Sequence, residues 1–127
     1  PLATSLLDGR AHYEFGRQLK RVLHAESTRV AVICSADLSH HSNAFSPEGA
    51  TPEGQRFDAM IREKAVSRDS AGLLAVDPTV LEKSGQCGYR PIMVLLGSLE
   101  NINATGKEMC YEAPFGVGYL TAKFEMA

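Results

Sequence analysis

Apolar positions along the chain fall into stretches of distinct period. From about Asp8 to Ala25 they recur at helical spacing. Ala11, Phe15, Leu19, Val22 and Leu23 share one face, with Arg17, Lys20 and Arg21 on others. Asp8 supplies the N-cap. Over Arg29–Cys34 the pattern becomes a continuous β-branched run, as in a strand buried on both faces. A polar loop, Ser35 to about Ala50, follows. Thr51-Pro52 then reads as N-cap and first helical residue of a helix running to about Val66, with Phe57, Met60, Ile61 and Ala65 on its apolar face. Asp69 caps a short helix through Leu74, and Asp77-Pro78 opens another that ends before Gly85. Pro91 starts an apolar helix, Ile92 to Leu99, which Gly106 helps to terminate. Two strands close the chain, Glu108–Glu112 and Val117–Phe124, joined by Ala113-Pro114-Phe115-Gly116. In the second, Leu120, Ala122 and Phe124 alternate with Tyr119, Thr121 and Lys123.

Helices alternating with strands predict an α/β fold. About three strands are visible, against a mean of roughly 5–6 per sheet. The chain therefore reads as a single α/β domain, or as part of a larger one completed by a partner chain or by a missing half. Its 127 residues suffice for one core, and 44% hydrophobic with 22% charged residues is ordinary globular composition. A net charge of −2 gives no electrostatic case for nucleic acid or an anionic membrane. No apolar run approaches the roughly 20 residues of a membrane span. The N-terminus lacks the features of a signal peptide and an initiator Met, so the chain reads as a processed or excised piece. Three cysteines without a CxxC pair favour a reducing, cytoplasmic setting over a disulfide framework. No four-ligand zinc spacing is present.

Chemistry concentrates at two places. Asp37 and His40 follow the apolar run, where ligands collect beyond strand ends in open α/β sheets. A carboxylate beside an imidazole fixes its tautomer and raises its basicity, making His40 a general base or a metal ligand. The alternative is that Asp37 caps a turn and His40 is a satisfied loop histidine. His41 is expected to face solvent, because neighbours in an extended segment point to opposite sides. Cys87 lies in the tight loop Gln86–Pro91 before a helix whose N-terminal dipole lowers a thiol pKa. It is a nucleophile, a soft metal ligand or simply a small apolar residue. Gly85 and Gly88 point to close backbone approach there. Cys34 and Cys110 read as core residues, and His12 and His24 as structural or surface residues. Pro114–Tyr119 reads as a tight turn or bulge, because its GxG precedes a strand and so does not suit a dinucleotide loop.

Ser-Ala-Asp-Leu-Ser-His at 35–40, Cys-Gly-Tyr-Arg-Pro-Ile-Met-Val-Leu-Leu at 87–96 and Phe-Gly-Val-Gly-Tyr-Leu-Thr-Ala-Lys-Phe at 115–124 occur in that order. Together they resemble the C-terminal half of the LigB-like superfamily, which includes class III extradiol ring-cleavage dioxygenases and Memo proteins. The resemblance implies a mostly parallel central sheet flanked by helices. It also implies a non-haem Fe(II) centre acting on catecholic aromatic substrates with O2, while the few strands and the missing half argue for an oligomer over a lone monomer as the active unit. Its alternative is a Memo-like metal, redox or binding protein that keeps the pocket without oxygenase activity. In this resemblance His40 matches the acid/base histidine and Asp37 the acidic residue preceding it. Cys87 falls where the dioxygenases place a carboxylate ligand and Memo-type proteins a cysteine, so it is the metal ligand of this chain. A thiolate there admits Zn or Cu as well as Fe(II). The two histidine ligands of the family belong to an N-terminal half that nothing in this chain matches.

Overall fold

Side-chain caps start four of the five helices. In the computed structural model, which describes residues 1–127, Asp8 accepts from Ala11 N, Thr51 from Gly54 N, Asp69 from Gly72 N and Asp77 from Thr79 N. Each fills an amide that the first helical turn leaves unpaired. The helices are α1 (Gly9–Ala25), α2 (Pro52–Lys64), α3 (Ser70–Leu74), α4 (Pro78–Lys83) and α5 (Tyr89–Ser98). The last begins two residues before Pro91, so Pro91 sits inside the first turn, where its missing N–H leaves no bond unmade. Two strands follow, β1 (Ala104–Glu112) and β2 (Tyr119–Met126). Gly106 lies within β1 and ends no helix.

The core is helical. Phe57, Ile61 and Ala65 of α2, Leu73 of α3, Val80 of α4 and Ile92, Met93 and Leu96 of α5 meet in one cluster with Leu38 and Tyr89. The expected mostly parallel central sheet is absent. The protein has one two-stranded sheet, and β1 pairs with β2 antiparallel. Antiparallel strands need only a short turn, here residues 113–118, whereas parallel pairing needs a crossover and a third strand to pair with. The Arg29–Cys34 run is the element that would have supplied that strand. It makes no main-chain hydrogen bond, and Ile33 is 85% exposed. Apolar β-branched residues favour an extended backbone, but a strand also requires a hydrogen-bonded neighbour, and this run has none.

The helix α1 packs along α5 through glycine rather than through its apolar stripe. A Cβ at Gly16 would overlap the Val94 carbonyl, and one at Gly97 would overlap the Tyr13 carbonyl. Glu100 then ties the pair together, accepting from Arg17 Nε at 2.7 Å, while its carbonyl accepts from Lys20 Nζ at 2.6 Å. Phe15 and Val22 of the predicted apolar face stay exposed. With the N-terminal residues, the 30–36 run and α5, this face lines an apolar groove of about 960 Å³ that ends at Cys87.

A bulge at Met109 sets the register of the sheet. Glu108 pairs with Ala122 and Cys110 with Thr121, leaving Met109 as the extra residue. Side chains alternate along a strand, so one inserted residue reverses the facing of everything beyond it. Glu108 and Tyr111 thereby share the inner face, where both engage Arg62 of α2. Cys110, expected in the core, is turned outward and exposed. Cys34 is partly buried and packs against the core.

Candidate metal centre

Three segments converge on one donor cluster. The first is the loop 37–42, pinned at both ends. Leu38 N–H donates to Gly118 O and Gly118 N–H to Ser39 O, both at 2.9 Å, at the entry to β2. His40 N–H donates to Ser84 O at 3.1 Å, and Ser39 Oγ donates to the same carbonyl at 2.9 Å, at the C-terminal end of α4. The second segment is the loop before α5, carrying Cys87. Gly88 passes so close to Asp37 that a Cβ there would stand 2.7 Å from the Asp37 carbonyl oxygen. The glycine thus permits the approach that sets Cys87 beside Asp37. The third is Gly85, at φ +62, which packs against the imidazole of His41 and the Cβ of His40.

Within this frame a carboxylate oxygen of Asp37, an imidazole nitrogen of His40 and Cys87 Sγ lie within 4.8 Å of one another. His40 Nε2 stands 3.7 Å from Asp37 Oδ2. Although 43% of the His40 side chain is accessible, Nε2 itself is covered and has no hydrogen-bond partner. A covered nitrogen without a partner is uncommon. Cys87 Sγ accepts from Asp37 N–H at 3.3 Å. A sulfur donor with a carboxylate and an unpartnered imidazole nitrogen beside it fits a divalent transition metal better than a hard oxygen-seeking cation. All three residues named from the sequence are therefore brought together.

The other histidines stand apart. The His41 side chain is 14% exposed, against the expectation of a solvent-facing ring, with Nε2 3.6 Å from Glu48. Thr51 N–H donates to His41 O, and the Gly85 turn covers the ring. His12 is buried, its Nδ1 2.7 Å from Asp8 O and its Nε2 accepting from Ser5 N–H at 3.1 Å.

Asp58, Ser42 and Tyr111 escape a sequence reading. Asp58 accepts from Ser39 N–H, Ser42 Oγ and Tyr111 Oη at 2.8, 2.6 and 2.6 Å. The available signal is its position, adjacent to Phe57 and one turn from Ile61, where a carboxylate interrupts the buried side of α2.

Two buried acids of the region are held protonated. Burial, with a smaller contribution from neighbouring Cys87, pushes the Cys34 thiol up to about 11. Burial and the bond to Asp58 push Tyr111 up to about 12. A weak acid whose pKa is raised by folding leaves stability untouched below its unfolded pKa and lowers it as pH rises toward the folded value. Stability is thus expected to be level up to about pH 9 and to fall between there and pH 12. The Cys34 share is on the order of 2 kcal/mol. Urea midpoints of the protein and of Cys34→Ala across pH 7–11 check this: the variant should lose the lower part of the decline, and parallel curves would refute the assignment.

The fold and the cluster define a helix-rich domain bearing a mixed oxygen, nitrogen and sulfur site suited to a transition metal. A sequence profile of the catalytic LigB subunit of aromatic ring-opening dioxygenases matches residues 2–122. The chain belongs to that family, which is typically dependent on a non-haem metal. Protein CA_C1420 of Clostridium acetobutylicum is 33% identical over 113 residues, covering 89% of this chain and 24% of that protein. The chain thus spans about a quarter of the length of the curated relative it matches. No helix is long and apolar enough to cross a membrane.

Proposed function

We propose that the chain contributes part of a non-haem metal centre to an extradiol-type ring-cleavage dioxygenase acting on catecholic aromatic substrates with O2. The observation that carries this reading is the Asp37–His40–Cys87 cluster, with a covered and unpartnered His40 nitrogen, in a chain of the LigB family. Cys87 is the metal ligand. Asp37 orients His40, and His40 takes the proton of a catechol hydroxyl and returns it later in the reaction. The apolar groove ending at Cys87 suits the aromatic ring. A bound Fe(II) would supply open coordination positions for catecholate and O2.

Anaerobic titration with Fe(II), followed by oxygen uptake on catechol, tests the proposal. Binding near one to one, with uptake abolished in His40→Ala, is the expected result. Tight binding with no ring cleavage by the iron-loaded, complete assembly would overturn the dioxygenase reading. Binding of Cu or Zn without turnover would favour a Memo-like metal or redox protein, to which the thiolate at Cys87 also points.

A further inference from the structure

Asp58 is a carboxylate at 3% exposure with no salt bridge. Arg62, one turn along α2, is occupied by Glu108 at 2.7 Å and lies over the Tyr111 ring, 4.5 Å from its centroid. Burying a carboxylate without a cation is costly unless its lone pairs are filled. Three donors fill them here, and all come from groups that frame the donor cluster. Ser39 is the link that matters most. It lies between Asp37 and His40, its N–H is held by Asp58 and its carbonyl by Gly118 N–H. Ser42, two residues past His40, is held by the same carboxylate. Tyr111 reaches Asp58 only because the bulge at Met109 turns it inward. Gly118 abuts Asp58 Oδ2 so closely that a Cβ would overlap it. The carboxylate is thus a staple joining α2, the 37–42 loop and β1, with the turn into β2 packed against it.

We propose that Asp58 is a positioning residue for the metal centre. It fixes the loop in the one conformation that presents Asp37 and His40 together beside Cys87. The proposal rests on the metal-centre reading above, but the hold of Asp58 on the loop is measurable with no ion present. The residue does not act on substrate, because its oxygens are already occupied by protein donors.

The test compares Asp58→Ala, Asp58→Asn and Leu96→Ala. The last opens a cavity in the shared core, two turns along α5, and removes no hydrogen bond that holds the loop. Amide hydrogen exchange reads the loop, and titration with Co(II) alone, followed by calorimetry and visible absorption, reads the centre. In Asp58→Ala, protection at Ser39 and Gly118 is expected to vanish while the core stays protected. Co(II) affinity is expected to fall about 10–100-fold, with a changed absorption band. Leu96→Ala should leave affinity and band intact, and Asp58→Asn, which keeps an acceptor for Ser39 N–H, should restore most of the affinity. Loop protection and Co(II) affinity in Asp58→Ala equal to those in Leu96→Ala would overturn the proposal. If Asp58→Ala does not fold, Tyr111→Phe removes one of the three donors and should give the same shifts at smaller size. If the unaltered protein binds no Co(II), either the essential ligands come from outside this chain or the site is not metallic. Exchange then still decides: lost loop protection upholds the hold of Asp58 on the loop, and retained protection refutes it.

Discussion

Cys87→Ser is expected to weaken metal binding by more than about 100-fold while leaving the fold unchanged. Outer-shell partners of a metal ligand are worth roughly 10–100-fold each, and loss of a coordinating group should exceed that. Serine is nearly isosteric, but its hydroxyl stays protonated at neutral pH, whereas a thiol gives up its proton to a bound metal. The side chain is exposed and packs in no core cluster, so the substitution opens no cavity. Its contacts are with the Asp37 main chain, at 3.3 Å to the nitrogen and 3.6 Å to the oxygen, and a hydroxyl can replace both. Calorimetric titration with Fe(II) under anaerobic conditions, beside a thermal melt of the metal-free protein, separates the two properties. Undiminished affinity in the variant would remove Cys87 from the site and leave Asp37 and His40 as an ordinary carboxylate–imidazole pair of the loop.

The second large effect is structural. Gly16→Val is expected to lower stability by about 3 kcal/mol or more, at or above the upper end of ordinary overpacking. A Cβ at Gly16 meets the Val94 carbonyl oxygen and, at 3.0 Å, the Cα of Gly97. These are backbone atoms of α5 and cannot rotate aside as a side chain does. The valine must therefore drive α1 away from α5, stretching the Arg17–Glu100 contact of 2.7 Å and widening the groove that ends at Cys87. Urea unfolding followed by helical circular dichroism measures the loss. An unchanged midpoint would mean that α1 contributes little to the fold.

Both predictions concern neighbours that a one-dimensional pattern does not name. The helices themselves were legible because their signals are local. Asp8, Thr51, Asp69 and Asp77 each cap the helix expected of them, since a cap involves residues only two or three positions apart. The alternation of Leu120, Ala122 and Phe124 likewise located β2. Asp37, His40 and Cys87, whose donor atoms the fold brings within 4.8 Å of one another, could be named from chemistry and motif, and the close passage at Gly88 from its missing side chain.

Pairing was not legible. The run Arg29–Cys34 has the composition of a strand, but composition fixes only the tendency to be extended; hydrogen bonds to a neighbour are a property of the assembled chain. One bulge, invisible in the sequence, decides that Cys110 faces out and Tyr111 faces Asp58. His41, expected at the surface, is covered because Gly85 turns back over its ring. Sequence by itself therefore determined where the four capped helices begin and which residues offer metal-donor groups, because those depend on side chains close in the chain and on their functional groups. Tertiary structure alone decided which strands pair, which faces are covered, and that Asp58 holds the loop between Asp37 and His40. The bonds to Asp58 alone join residues 16 to 53 positions apart, and their closure depends on the packing of the elements between them.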